Sequence, residues 1–511
     1  MSKSYCVLGI DLGTTSVKVC LVDSKTQEVL ASQKKDTYSD VPSELGSDGN
    51  KQDVARILSA VQLCISRLPR DQLRKVKKVA TCGQMHGCMM WKQGDAWFQK
   101  PDSDRYETKN VSYLYTWQDN RCSPEFLSSL PTPRSHQPLA TGYGCATLLW
   151  FSKYRPLELS KYDRAGTIHD FFVAMLCGLE HPVMSVQNAA AWGYFDAAAK
   201  TWNTDILSAA GLPLELLPTV VESGEVAGEL TSNWYAIPKG TPVIASLGDL
   251  QCSVLPLLSA PDIAVVNIST SAQISFRLPE SFVPPTKPPT SPQTTECVPF
   301  MEGRYLSVAA SLNGGNALAA FVRTLQQWAL DLGCQVPQSK IWERTLTLGA
   351  ACCEEPEPAS TSSDAPADKD SPCSDHMAGG TRGRETLMVI TPTVFGERHS
   401  PEVNGSASNI RCGNLKLGQV MRALCKGIVA NLHSMMPRSV LLDAGVTRIV
   451  GGGSALTRNP LLLQELQALY DLPVTLDSRG DAAIGAAIAA IRSDGDVATA
   501  AIRSDGDEKS K

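Results

Sequence analysis

The sequence contains no Gly-x-x-x-x-Gly-Lys-Ser/Thr loop, no Gly-x-Gly-x-x-Gly fingerprint, and no His-Arg-Asp accompanied by Asp-Phe-Gly. A P-loop NTPase, a Rossmann dinucleotide enzyme and a protein kinase are thereby excluded. No run approaches the ~20 apolar residues that a spanning helix needs. The stretch "VLGI" at residues 7–10 is too short for a signal-peptide core and runs straight into Asp11. The expectation is a cytoplasmic protein with no membrane partner. Positive charge is not in excess either: a net charge of −5 argues against a face for nucleic acid. None of the 16 cysteines forms a Cys-x-x-Cys pair. Cys20, Cys64 and Cys177 sit in apolar runs, as buried thiols do in a long intracellular chain. Cys82, His86 and Cys88 match no common zinc spacing.

What is present describes a soluble globular chain. At 511 residues, 43% hydrophobic and 19% charged, it exceeds one ordinary core and predicts two to four domains. Strand-like and helix-like stretches alternate, which reads as α/β. Residues 353–384 are rich in Pro, Ser, Ala, Asp and Glu and hold almost nothing apolar, so they predict a disordered surface insertion. The end of the chain repeats "AAIRSDGD" at 489–496 and 500–507, a local duplication extending a C-terminal helix.

Two stretches share one design. "YCVLGIDLGTTSVKVCLVD" (5–23) is an apolar strand, a turn of Asp11, Gly13, Thr14, Thr15 and Ser16, and a second apolar strand. "IAVVNISTSAQISFRL" (263–278) repeats the plan around Ser269, Thr270 and Ser271. Small residues on a tight turn leave backbone N–H groups pointing outward, a donor site suited to phosphate oxygens. Asp11 would repel bare phosphate, so the arrangement calls for a hard cation, Mg²⁺, between them. A polar hairpin tip with a purely structural role is the competing reading. Two such hairpins about 250 residues apart predict two similar facing domains, 1–260 and 261–495, followed by a tail over 496–511. "TPVIASLGDLQCSVLPLL" (241–258) reads as a buried strand ending at Gly248-Asp249, then a helix. Asp249 is either a carboxylate held in an interdomain cleft or a helix N-cap. "VGGGSALTRNP" (450–460) is a strand-to-helix turn over which a planar ligand can approach the backbone, or simply a flexible connection.

These elements, in this order, resemble the superfamily of actin, the 70-kDa chaperones and the sugar kinases. With "CGQMHG" (82–87), "TWQDNR" (116–121), "GDLQ" (248–251), "GERHSP" (396–401) and "GGGSA" (451–455), the chain is more specifically similar to the FGGY carbohydrate kinases. The resemblance implies two actin-like (ribonuclease H-like) ATPase domains and ATP-dependent phosphorylation of the terminal hydroxyl of a ketose, sedoheptulose before xylulose. A partner-moving actin- or chaperone-like ATPase is the rival from another class. The resemblance makes Asp249 the catalytic base and Asp11 the metal residue. It places Gln84, Met85 and His86, with Asp119 and Arg121 on a second sugar-facing strand, around the sugar. Thr14, Thr15, Ser16, Thr270, Gly314, Gly452 and Gly453 fall around the nucleotide. His86 as a satisfied core histidine and Arg121 as a structural ion-pair partner stay open. So do turn roles for Asn313 and Asn316.

Overall fold

A computed structural model describes residues 4–352, 388–400 and 402–493. The expected insertion at 353–384 and the tail from 496 onward lie outside the described residues.

The first sheet is built on a long hairpin, β1 (Cys6–Leu12) and β2 (Ser16–Asp23), paired antiparallel from Cys6↔Asp23 to Leu12↔Val17. β3 (Val29–Asp36) adds antiparallel to β2. On the other side β4 (Val76–Gly83) runs parallel to β1. β5 (Val226–Glu229), β6 (Pro242–Ile244) and β7 (Leu247–Gly248) complete the sheet, in the order β5-β6-β4-β1-β2-β3 with β7 also beside β4. The second sheet repeats the scheme. β8 (Ile263–Ile268) and β9 (Ala272–Arg277) form its hairpin. β10 (Glu296–Pro299) and β11 (Tyr305–Ser311) extend it beyond β9. β12 (Arg448–Gly452) and β13 (Val474–Leu476) run parallel on the far side. Hairpin, third antiparallel strand and parallel crossover strands occur in the same spatial order in both sheets, which is the actin-like arrangement.

Strand side chains alternate between faces, and the alternation assigns each residue to a layer. Leu8, Ile10 and Leu12 pack with α1 (Val54–Ser66) and α2 (Ile168–Cys177), while Val7 turns to the opposite face. In the second sheet Ala264, Val266 and Ile268 meet a long helix, Leu417–Met435, and Ile263 and Val265 face the other way. Those inward faces share one core with the short helix Asp249–Val254 and the C-terminal helix over 482–493, through Cys252, Ala483 and Ala487. The two sheets are therefore joined through buried apolar surface.

Candidate active site

Register brings the turns together. Leu12 of β1 lies beside Gly83 of β4, and Gly83 lies beside Gly248 of β7. The residues just beyond these three strand ends, Gly13 onward, Gln84–His86 and Asp249, therefore emerge at one edge. The same holds opposite: Ile268 pairs with Ala272, Ala272 with Ser311, and Asn267 with Gly452. Between the two edges lies a cleft of about 470 Å³. A larger hollow of about 670 Å³ opens on the outer surface near Arg70, Asp104 and Tyr235 and contains none of the residues singled out above.

Asp11, Thr14, Thr15, Ser16, Met85, His86, Asp249 and Thr270 all line the cleft. Gly248 occupies the helix-cap position and Asp249 is the first helical residue, its Oδ1 accepting from Leu250 N at 2.7 Å, so the N-cap alternative is set aside. Asp249 is half-buried in the cleft wall, and desolvation there lifts its carboxyl from 3.8 to about 6. Asp11 is raised well above the ordinary carboxylate range, first by burial and then by the negative charges of Asp249 and Asp481. Its Oδ1 is buried with no hydrogen-bond partner. A hard cation would relieve both conditions, so the donor set fits one.

His86 sits in left-handed backbone, φ +70°. Its ring stacks on Tyr143, centroids 4.6 Å apart. Burial, then the charge of Arg398, holds its pKa down at about 3, so the imidazole is neutral. Nδ1 lies 2.9 Å from Ala191 O, a pure acceptor, so Nδ1 carries the proton and Nε2 is left as an acceptor. The Thr14 hydroxyl accepts from Trp117 Nε1 at 3.0 Å, and Arg398 lies over the Trp117 ring, spanning from the second half to the first.

Other expected residues do not reach the cleft wall. Gln84 is buried, and its side-chain amide donates to Gln52 Oε1 at 3.0 Å. Asp119 and Arg121 are a correction. "TWQDNR" is not a strand but a turn closed by Asp119 N to Thr116 O at 3.1 Å. The two side chains pair with each other, Nε–Oδ1 2.6 Å and Nη2–Oδ2 3.0 Å, with both side chains fully buried. The Arg121 guanidinium lies over Tyr115, 4.0 Å from the ring centroid, and Asp119 also accepts from Asn50 N. This buried pair braces the turn that presents Trp117, and its ionic groups face each other, not the cleft. Gly314, Gly452 and Gly453 lie behind the wall. A Cβ on Gly314 would come within 2.5 Å of Ser271 C. Gly453 takes φ +91°, with Asn267 Oδ1 and Ile268 O where a Cβ would stand. Asn313 and Asn316 serve the turn: Asn313 Nδ2 donates to Gly396 O, and Asn316 Oδ1 accepts from Gly314 N.

The cleft also holds residues not anticipated. Asp481 pairs with Lys18 across the two halves. Its signal was present: Gly480-Asp481 before an alanine-rich helix repeats Gly248-Asp249. A polar network, with Gln187 itself in the cleft lining, joins the Gln84–His86 turn to the Asp249 turn. Asn188 Nδ2 donates to Ser246 O at 3.0 Å, Gly248 N donates to Gln187 Oε1 at 3.1 Å, and His169 Nε2 lies 3.3 Å from Gln84 O. Asp170 accepts from the Ser246 hydroxyl. Nothing in the local sequence marks this network.

The profile described as "FGGY family of carbohydrate kinases, N-terminal domain" matches residues 6–256. Sedoheptulokinase of Homo sapiens is 45% identical over 503 residues, covering 96% of this chain and 98% of its own. The Mus musculus sedoheptulokinase is 44% identical, covering 97% and 99%. The crystal structure of xylulose kinase from Rhodospirillum rubrum superposes with a TM-score of 0.71 at 18% identity, over 96% of this chain and 89% of that one. No helix among the described residues is long and apolar enough to cross a membrane. Identity of 44–45% over nearly the full length of such relatives, together with paired strand-end turns around the Asp249 carboxylate, shows that the chain belongs to the FGGY carbohydrate kinases, phosphotransferases that use ATP and an alcohol acceptor.

Proposed function

We propose that the chain transfers the γ-phosphoryl group of ATP to the terminal hydroxyl of sedoheptulose, giving sedoheptulose 7-phosphate in the cytoplasm. The choice of sugar is supported by the nearly full-length similarity to two sedoheptulokinases. The chemistry rests on one observation, the half-buried, desolvated Asp249 carboxylate sharing a cleft with two hydroxyl-rich turns. Residues 1–260 carry the sugar and metal side, and residues 261–495 the nucleotide side.

In this reading Asp249 accepts the proton of the terminal hydroxyl as its oxygen bonds to the γ-phosphorus. The bond from that phosphorus to the bridging oxygen of ATP breaks, and ADP leaves. A carboxyl lifted to about 6 is ionised at neutral pH yet basic enough to help. His86 Nε2 accepts from a sugar hydroxyl, and Met85 covers a C–H face. Gln84 acts from behind, holding that turn through Gln52. Thr14, Thr15, Ser16 and Thr270 donate to phosphate oxygens from the two sides, and Gly314, Gly452 and Gly453 let the nucleotide-side backbones close up. Asp11 is the residue that would hold Mg²⁺, which when bound neutralises phosphate charge.

A panel of C5 to C7 ketoses assayed for ATP consumption tests the substrate. Sedoheptulose should give the highest kcat/KM by at least about 10-fold; a higher value for xylulose would replace the substrate. Asp249→Asn should bind ATP and sugar while kcat falls by ~10²–10⁴-fold. A loss of only a few-fold would remove Asp249 as the base.

A further inference from the structure

A second, smaller hollow of about 230 Å³ lies away from the cleft, lined by Leu255, Leu258, Arg277, Arg304 and Arg492. Its arginines come from distant parts of the chain: the end of β9, the turn before β11, and the last described turn of the C-terminal helix. One carboxylate, Glu302, shares the lining. Arg304 is taken up by Glu280 and Glu302, at 3.0 and 3.5 Å. Arg492 is exposed and has no ion pair among the described residues. Arg277 donates from Nη2 to Leu258 O at 3.1 Å, but its Nε is buried with no hydrogen-bond partner.

This arrangement is costly as it stands. Burial, then the charge of Arg304, holds the Arg277 guanidinium below its ordinary proton affinity, and Arg492 adds to the repulsion. A buried donor left without a partner is destabilising. A tetrahedral oxyanion answers both terms, since guanidinium forks match its oxygens in pairs. Size limits the ligand: pockets for drug-sized molecules run to ~300–1,000 Å³, above the 230 Å³ found here. We infer that this hollow is a separate oxyanion site, taking inorganic phosphate or the phosphate group of a small phosphomonoester.

The test is calorimetric titration of inorganic phosphate into the full-length protein saturated with both sedoheptulose and a non-hydrolysable ATP analogue, so that the sugar and nucleotide sides of the cleft are already filled. One phosphate per chain should bind, more weakly as salt rises. Arg492→Gln, an exposed change that does not threaten folding, and Arg277→Gln should each weaken binding by about 10-fold or more, the loss of one charge-assisted hydrogen bond. A small sugar phosphate in place of phosphate distinguishes the sources. Tighter binding identifies the monoester, and equal or weaker binding identifies free phosphate. Absence of binding with the cleft filled, or unchanged affinity in Arg492→Gln, overturns the assignment.

Discussion

Asp249 pays in stability for its basicity. Its folded-state pKa of about 6 lies above the ordinary 3.8 because burial disfavours the charged form. Such a group favours the folded state only while protonated. The contribution is fully present below pH 3.8 and is lost as pH rises through 6. Asp249→Asn should therefore be more stable than the parent by on the order of 2–3 kcal/mol at pH 8, with the gain fading below pH 4. Thermal unfolding at the two pH values checks this, and equal stability at pH 8 would deny the burial cost. Catalysis runs the opposite way. Because only the carboxylate accepts a proton, kcat/KM of the parent should rise with pH through an acid limb near 6. His86, held neutral down to about 3, adds no second limb in that range. A profile flat from pH 5 to 8 would contradict the assignment.

At the scale of elements, the site is made of turns that leave strand ends, and close backbone approach lets those turns meet. Gly453→Ala is the sharpest probe. Its φ of +91° is strained for any L-residue, and the new Cβ would stand on Asn267 Oδ1 and Ile268 O. Stability should fall by more than about 1 kcal/mol and KM for ATP should rise. Gly303→Ala, at φ +67° with nothing within 4 Å of a Cβ, is the control, with KM unchanged. Equal behaviour of the two variants would show that the crowding at Gly453 is irrelevant. These turns were legible beforehand because hairpin, acid and hydroxyls are contiguous at 5–23 and 263–278. The Asp119–Arg121 pair was not. Its fate depends on Tyr115, Trp150 and Phe151 surrounding the guanidinium, and two of those lie on a helix about 30 residues away. The His169–Asn188–Ser246 network was hidden for the same reason: its members are remote in sequence and meet only where α2 and the helix Val186–Trp192 reach the residue before β7.

At the scale of the whole molecule, the two sheets meet through paired helices, each opening on Gly-Asp. Gly485 of the C-terminal helix lies against the backbone of Cys252, and Gly9 of β1 against that of Ala483. Cys252 belongs to the helix that begins with Asp249, so this joint stands one turn below that carboxylate. Above it, the halves touch through polar contacts: Lys18 with Asp481, and His136 Nε2 and Gln137 Nε2 with Cys297 O at 2.9 and 3.2 Å. A close-packed apolar joint with polar contacts above it suits a hinge whose jaws separate while its root stays fixed. Gly485→Ala tests this, because a Cβ there would overlap Cys252 O. Forcing the helices apart should cost about 1–3 kcal/mol of stability and displace Asp249 from the Gln84–His86 turn. Transfer then suffers in kcat and sugar KM together, the pattern of a hinge change. Gly445→Ala, at φ +78° with open space around it, carries backbone strain without the wedge and should leave both constants unchanged. If Gly485→Ala loses stability yet keeps parental kcat and KM, the joint holds the halves together without setting the position of Asp249.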